Sequence, residues 1–590
     1  MAHSKREFLK NLQKLGVPKY LADQAYYELG MQSDEVITRD PYQLLRLGDG
    51  YLWQTVDQLA QRLGFDEFSP ERLCGGILCA LKGSTSDGHI YIPQRELRQR
   101  VNRLIPLEDP SALDKALASL QEREQIHSQR QDGRLVFYLD ALFEAEVGVA
   151  KKLKHLHESS SRVALKSPAE QEMQQVEREL NVTLAPEQWD AIAASLENKI
   201  VIITGGPGTG KTTIIRGVLH LWEQYGVHIR LAAPTGRAAR RLRESTGRDK
   251  TFTIHRLLEF NPDTRQFNRD ETRKLKADLL VIDEASMIDI ELMYSLLRAL
   301  PPHCHLLLVG DVDQLPSVGP GSVLHDLISC CCIKTIRLQQ IYRQQEGSLI
   351  SLNAKRINEG ELPELTGEGI EEGQDFFFIS RNSNESTQEA VLEMVTDRIP
   401  KRFDLNPKED IQVLSPMHKK EVGVETMNTL LQKVLNPADQ YFNAPFYAFT
   451  IGDKVMQIKN DYEKDVFNGD IGYISHVNQR DHSVMIEFDG ENKKYFIDEM
   501  VNTALAYAIT VHKSQGSEYP AVVIPLTMQH YPMLQRNLIY TAVSRGKRLV
   551  IIVGQKQALE MAVRNNRVRT RYSNLCKRIQ EEFEAGKKRK

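Results

Sequence analysis

Two clusters of residues carry chemistry that a packing role does not explain. Gly205-Gly206-Pro207-Gly208-Thr209-Gly210-Lys211-Thr212 follows the spacing G-x-x-x-x-G-K-[ST], a pattern expected by chance in only about 0.02 of chains of this length. The apolar run KIVIITGG leads into it, so a strand feeds a loop with little side-chain bulk, and a helix is predicted from near Lys211. Backbone N–H groups of Gly206, Gly208, Thr209 and Gly210, in a loop whose shape Pro207 helps to fix, can then surround phosphate oxygens at the positive end of that helix. Lys211 is spaced to reach the β and γ phosphates of ATP, and Thr212, with Thr213 beside it, to meet Mg²⁺. The second cluster is Asp283-Glu284 at the end of DLLVIDE. A parallel strand ending in two carboxylates puts them at the sheet edge where the glycine loop also opens. Asp283 fits the metal shell and Glu284 fits a general base for the attacking water.

Upstream, Gln188 in LAPEQWDAI offers the donor and acceptor that an adenine edge needs, although a surface glutamine would have the same spacing. Only one glycine loop is present, yet there is a second set of apolar strands. If ATP lies between two such sheets, the second must bring positive charge to the phosphoryl transition state, where an arginine is worth roughly 10³–10⁵ in rate. Arg343 in LQQIYRQQ and Arg545 in YTAVSRGKR are the candidates. A cleft that closes on ATP and opens after hydrolysis predicts a mechanical rather than a synthetic activity.

The elements that must hold these residues are legible as apolar β-branched runs alternating with amphipathic helices: KIVIITGG, HIRLAAPTG, DLLVIDE and HLLLVGD, then IQVLSP, AVVIPL and RLVIIVG. That alternation predicts parallel sheets covered on both faces. Between the last sets lie FTIGDKVMQIKN, NGDIGYISHV and HSVMIEFDG, strand-like runs with Asn468-Gly469 and Asp489-Gly490 turns, which predict a small β-barrel insertion. Residues 1–150 read as short helices broken by Gly and Pro, a separate helical module. A charged helix and Ser159-Ser160-Ser161 then form a linker. The Lys587–Lys590 run reads as a solvated basic tail.

The chain has 590 residues, 41% of them apolar and 26% charged, with a net charge of −3. That is ordinary for a folded, water-soluble protein and excludes collagen-like or largely disordered chains. A near-neutral balance means that any anionic partner must be met by a local basic surface. Seven cysteines without a CxxC pair predict a reducing, cytoplasmic setting and no zinc site, and no run approaches the length of a membrane span.

Taken in order, GGPGTGKTT, APTGRAA (233–239), TIHRLL (253–258), VIDEASM (281–287), GDVDQLPSVGPG (310–321), LQQIYRQ (338–344), AYAITVHKSQGSEYP (506–520) and YTAVSRGK (540–547) resemble the motif series of superfamily 1 helicases. Within that superfamily the chain is similar to the RecD-type branch, DNA helicases that move 5′ to 3′, over roughly residues 181–575. The resemblance implies an α/β fold: two RecA-like parallel-sheet domains with a small SH3-like β-barrel insertion and an N-terminal helical, helix-hairpin-helix-like domain. Its expected boundaries are 1–150 for the N-terminal domain, 151–180 for a linker helix, 181–335 for the first RecA-like domain, 336–419 with 501–575 for the second, 420–500 for the insertion and 576–590 for the tail.

It also implies roles: Gln188 reads adenine, Gln314 couples the γ-phosphate to the strand track, and Arg343 and Arg545 contact the phosphates. The implied DNA track is Pro234, Thr235, Arg237, Thr253, His255 and Arg256 in the first domain and Ser415, His418, Thr510, His512 and Lys513 in the second. Such a set grips a backbone with little sequence preference. EFNPDTRQFNR (259–269) reads as a β-hairpin with Phe260 and Phe267 flanking its turn, and the resemblance makes it a duplex-splitting wedge, against an inert surface hairpin. At the N-terminus, Pro18 and Leu52 stand where a Gly-x-Gly hairpin would place its second glycine. The implied partners are single-stranded DNA and single-strand/duplex junctions, with proteins docking on the N-terminal domain or the insertion, and a motor acting as a monomer. A nucleotide-gated loader without processive travel, or an RNA-remodelling ATPase, are the alternatives the residues leave open.

Overall fold

The computed structural model describes residues 2–18, 21–23, 25–26, 30–47, 52–106, 110–262, 264–340, 348–365, 374–438, 442–444, 447–478, 480–566 and 571–587. In the first lobe six strands pair in parallel, in the order Lys334–Leu338, Ile200–Gly205, His305–Gly310, Leu279–Ile282, Ile229–Ala233, Thr251–Thr253. Successive side chains of a strand point to opposite faces, and here both faces are buried. Val201, Ile203, Val281 and Val309 pack with Ile214, Val218 and Trp222 of the helix Lys211–Glu223. Ile202, Leu280, Ile282 and Leu308 pack on the other side with Met293 and Leu296 of Ile290–Ala299. The near-continuous apolar runs of the sequence are the signature of this two-sided burial.

The second lobe is a five-stranded parallel sheet in the order Phe376–Ser380, Gly546–Gly554, Tyr519–Leu526, Ile411–Ser415, Ala508–Thr510. Five antiparallel strands follow the order Glu491–Phe496, Ser483–Phe488, Ile471–Asn478, Lys454–Gln457, Thr503–Leu505 and form the SH3-like insertion. Asp489 and Gly490 both take positive φ, at 55° and 84°, as a two-residue hairpin turn requires. The helix Val424–Leu435 precedes these strands and ties them to the parallel sheet: Asn428 Nδ2 donates to the carbonyls of Leu505 in the insertion and Ala508 in the parallel sheet, and its Oδ1 accepts from Ala508 N–H.

Two expectations change at the ends of the chain. The N-terminal region is not purely helical: Tyr91–Pro93, Ile126–Gln131 and Arg134–Leu139 form an antiparallel sheet in the order first, third, second. The Asp132-Gly133 turn, with φ of 46° and 78°, is a hairpin signal that the surrounding helical periodicity hid. Nor is it a freestanding module followed by a linker helix from residue 151. The helix Asp140–Glu158 buries Val149, Leu153 and Leu156 in the core of the first lobe, which also takes in Tyr91 and Tyr138.

Residues 576–587 of the expected 576–590 tail belong to a docked helix, Leu575–Lys587, with Leu575 and Ile579 fully buried in that core, while residues 588–590 of the basic run lie outside the described residues. Arg578 Nε lies 2.8 Å from Glu146 Oε2, inside the molecule. No described helix is long and apolar enough to cross a membrane.

Candidate functional site

The glycine loop joins the strand Ile200–Gly205 to the helix Lys211–Glu223, with Gly208 and Gly210 at φ of 77° and 84°. Such angles favour glycine, and they turn successive N–H groups toward one centre. Lys211 Nζ donates to the carbonyls of Gly205 and Gly206 at 2.6 and 2.9 Å, and Thr209 Oγ1 donates to Gly206 O at 2.9 Å. Thr212 and Thr213 occupy the first turn of the helix, half-buried. Gly205, Gly206, Pro207 and Thr209 line a cavity of about 400 Å³ whose far wall is Ser351, Lys355, Asn358 and Tyr540 of the second lobe. Gln188 is buried beneath the loop: its Nε2 donates to Thr209 O at 3.1 Å and its Oε1 accepts from Ala185 N–H. In this arrangement it braces the loop, and reading a base would require that amide to turn.

Asp283 and Glu284 follow the strand Leu279–Ile282 and are buried at its C-terminal end. Asp283 Oδ1 accepts from Glu284 N–H at 2.8 Å. Burial, with Glu284 alongside, raises the Asp283 pKa. Burial pushes Glu284 the same way, but the cations Arg241, Arg545 and Lys211 together outweigh it and leave that carboxyl below its usual range. A buried carboxylate beside a threonine-bearing helix terminus is a hard-oxygen donor set, so Asp283 and Thr212 fit a Mg²⁺ ion carried in with the nucleotide.

Gln314 stands where the lobes meet. Its Nε2 donates to Asp311 Oδ2 at 2.9 Å, while its Oε1 accepts from Arg545 Nη2 at 2.6 Å. Arg545 is 2% exposed and reaches the first lobe through that bond; its Nη1 and Nε also donate to Ser517 O and Thr541 O. Tyr540 donates to Asp311 Oδ2 at 2.8 Å, Leu315 N–H donates to Thr541 Oγ1, and Gln515 Nε2 donates to Leu315 O. Burial and the neighbouring Asp311 raise the Tyr540 pKa well above its ordinary value, so it stays a donor. Arg343 lies outside the described residues.

Asp311, Tyr540, Thr541 and Arg241 were not among the residues expected from sequence. Asp311 closes the strand His305–Gly310 just as Asp283 closes its own, and that strand-end position was the available signal. Arg241 lies one helical turn beyond Arg237, which was the cue to ask what else that helix presents.

The expected track residues fall into three groups. Thr235 and Thr253 cap short helices, accepting from Ala238 N–H and Arg256 N–H, which fixes the loops at the sheet edge, with Pro234 half-buried beside Thr235. His255 packs against Phe260 and Phe267, each 5.5 Å away; burial lowers its pKa and favours the neutral ring. His418 is exposed, with Nδ1 3.1 Å from Glu425. Thr510 Oγ1 accepts from Lys513 N–H, His512 is half-buried and Lys513 is exposed.

Other track residues are already engaged. Arg237 donates to Ser517 Oγ and Tyr519 OH across the cleft, and Arg256 pairs with Asp465 of the insertion. Ser415 departs from expectation: it is fully buried, donating to Val422 O at 2.8 Å, so it shapes the loop carrying His418 and does not line a track. Residues 259–269 do form a hairpin, Phe260–Asn261 against Gln266–Phe267, with the two Phe rings 5.2 Å apart and Tyr462 of the insertion 5.9 Å from Phe260.

Four family models match: an AAA domain over residues 188–320, an ATP-dependent RecD-like DNA helicase SH3 domain over 427–488, a UvrD-like helicase C-terminal domain over 505–553, and an ATP-dependent RecD2 DNA helicase HHH domain over 1–91. Similar proteins include the ATP-dependent RecD2 DNA helicase of Deinococcus radiodurans, 33% identical over 586 residues, spanning 97% of this chain and 78% of that one. The RecBCD enzyme subunit RecD of Mycolicibacterium smegmatis is 30% identical over 425 residues, spanning 67% of this chain and 74% of that one. A crystal structure of Pif1 helicase from Bacteroides with ADP-AlF3 and ssDNA aligns over 63% of this chain and 92% of its own, at 20% identity and TM-score 0.39. The glycine loop, the strand-end carboxylates and the arginine of the opposing lobe thus occur in a chain that belongs to the RecD-like family of ATP-dependent DNA helicases.

Proposed function

We propose that this helicase travels 5′ to 3′ along single-stranded DNA, hydrolysing Mg²⁺-bound ATP between its two parallel-sheet lobes and parting duplex at the hairpin 259–269. One observation carries the reading: Asp311, Gln314 and Leu315, buried on either side of the cavity-lining Val312 and Asp313, are hydrogen-bonded to Tyr540, Arg545 and Thr541 of the opposing lobe. Charge lost or gained at the γ-phosphate therefore acts on the groups that hold the lobes together, which is what a closing and opening cleft needs.

In this reading Lys211 and Arg545 stabilise the charge on the transferred phosphoryl group, joined by Arg343, and Glu284 orients the attacking water and takes its proton. Thr212 and Asp283 hold the Mg²⁺, which when bound neutralises charge on the β and γ phosphates. Gln314 passes the state of the γ-phosphate to Arg545. The strand is gripped by Thr235, Arg237, His255 and Arg256 on one lobe and His418, Thr510, His512 and Lys513 on the other, with Arg237 and Arg256 exchanging protein acceptors for phosphates. One chain supplies both walls of the cleft, which supports a monomeric motor, and its composition suits the cytoplasm. Protein partners would dock on the N-terminal domain or the insertion.

The test is unwinding of a duplex carrying either a 5′ or a 3′ single-stranded overhang, with and without ATP. Strand separation of the 5′-overhang substrate alone, and only with ATP, is expected. Equal unwinding of both overhangs overturns the direction. ATP turnover without unwinding of either supports a gated switch, and stimulation by RNA but not DNA supports an RNA-remodelling ATPase.

A further inference from the structure

The helix Gly236–Thr246 carries two arginines one turn apart, and both reach the same three-residue segment of the opposing lobe. Arg237 donates to Ser517 Oγ and Tyr519 OH at 2.8 and 2.7 Å. Arg241 Nη1 lies 3.4 Å from Glu518 Oε1, between them in sequence. The other terminal nitrogen of Arg241 points back into the first lobe, where Nη2 donates to Glu284 Oε1 at 2.8 Å and lies 3.9 Å from Asp283 Oδ2. A chain of alternating charge, Glu284–Arg241–Glu518, thus spans the cleft, with Lys547 Nζ 3.5 Å from Glu518 at its far end. The Glu284 side chain is 7% exposed, so the pair is weakly screened. Glu284 also sits at φ 53°, a left-handed backbone position that is sterically unfavourable for a residue with a Cβ and persists when its surroundings fix it.

A carboxylate oxygen that accepts a charge-assisted hydrogen bond has that lone pair occupied and closed to a water molecule. We infer that Arg241 is a positioning residue that withholds Glu284 from the attacking water until movement of the 517–519 segment draws the guanidinium to Glu518. The same movement breaks or remakes the Arg237 contacts, and Arg237 belongs to the loop and helix start at the proposed strand track. A phosphate that takes Arg237 from Ser517 and Tyr519 therefore alters the partner of Arg241 one turn along, linking strand binding to water activation as a coupling between two sites. This inference rests on the reading of Glu284 as the water-activating carboxylate.

Steady-state ATP hydrolysis by the full chain, with and without single-stranded DNA, tests it. Arg241→Gln is expected to raise the DNA-independent kcat about five- to tenfold with KM for ATP changed less than about twofold, so that stimulation by DNA shrinks by the same factor. Arg241→Lys keeps the cation and should retain the low DNA-independent rate. Glu518→Gln removes the competing acceptor, leaving Arg241 on Glu284, and should lower the DNA-stimulated kcat about threefold. In the double variant that decrease should vanish, because the inferred effect of Glu518 on turnover passes through Arg241 and not through Lys547. A fall in the DNA-independent rate of Arg241→Gln, or a Glu518→Gln effect that persists unchanged in the double variant, overturns the inference. Glu284→Gln, run alongside, should abolish turnover in both conditions; if it does not, the underlying reading of Glu284 has failed, a result distinct from failure of the coupling.

Discussion

At the scale of single residues, the proposed hydrolysis depends on a few charges that are held within the protein by oxygen acceptors, as phosphate would hold them. Lys211 Nζ is held by two carbonyls of its own loop, the kind of acceptor that phosphate oxygens replace as a nucleotide enters. Lys211→Ala removes the cation without opening a cavity in the core. An at least hundredfold drop in kcat, roughly, is expected, with the thermal midpoint unchanged within about 2 °C. Phosphate release and differential scanning calorimetry check the two halves. Near-normal turnover would remove the glycine loop from the mechanism. Lys211, Asp283, Glu284 and Arg545 were legible in the sequence because each sits at a fixed offset from an apolar strand or a glycine series. Asp311 and Arg241 were harder to see, since a carboxylate or an arginine reveals its partner only once two distant segments are brought together.

At the scale of elements, the parallel strands were readable because burial on both faces demands unbroken apolar runs. Four were not read: Thr251–Thr253 and Ala508–Thr510, three residues each and too short for any period to register, and the edge strands Lys334–Leu338 and Phe376–Ser380, which are buried along only part of their length. The three-stranded N-terminal sheet was missed for a different reason: Arg134–Leu139 buries Val136, Phe137 and Tyr138 in succession and lacks the alternation of a half-exposed strand.

The hairpin 259–269 was read correctly from its turn residues, but not its attachment. Phe260 and Phe267 pack with His255 and Tyr462 rather than projecting, so any duplex-splitting edge must be the turn that they support. Replacing Asn261–Arg265 by a two-residue Asn-Gly turn is expected to keep DNA-stimulated ATPase within about twofold while reducing strand separation by at least about tenfold, since the aromatic base stays in place. Comparing forked-duplex unwinding with ATPase on the same preparation separates the two, and parallel loss of both would assign the hairpin to strand binding instead.

At the scale of the whole molecule, the C-terminal helix joins parts that the sequence seemed to keep apart. Glu146, fully buried, accepts from Arg578 Nε and Asn574 N–H, and Ser573 donates to Asp326 of the first lobe. Arg578→Ala leaves a buried carboxylate without its cation, a change worth about 3 kcal/mol or more, and should release the helix Leu575–Lys587 first. Limited proteolysis is expected to clip the variant near residue 571 well before the wild type; equal resistance would show that the apolar contacts of Leu575 and Ile579 suffice. The chain therefore crosses between lobes twice, once from the strand Lys334–Leu338 to the helix Leu349–Glu359 and again from Lys556–Arg564 to Leu575–Lys587. Arg337, Asn358, Asn566 and Arg571, which flank the two crossings, border one common cavity. Two straps anchored side by side leave a pair of bodies only a single easy rotation, as a door on two pins swings but does not slide. In the proposed cycle each ATP consumed becomes a swing about one axis, and the stroke delivered to the strand owes its direction to where the polypeptide doubles back.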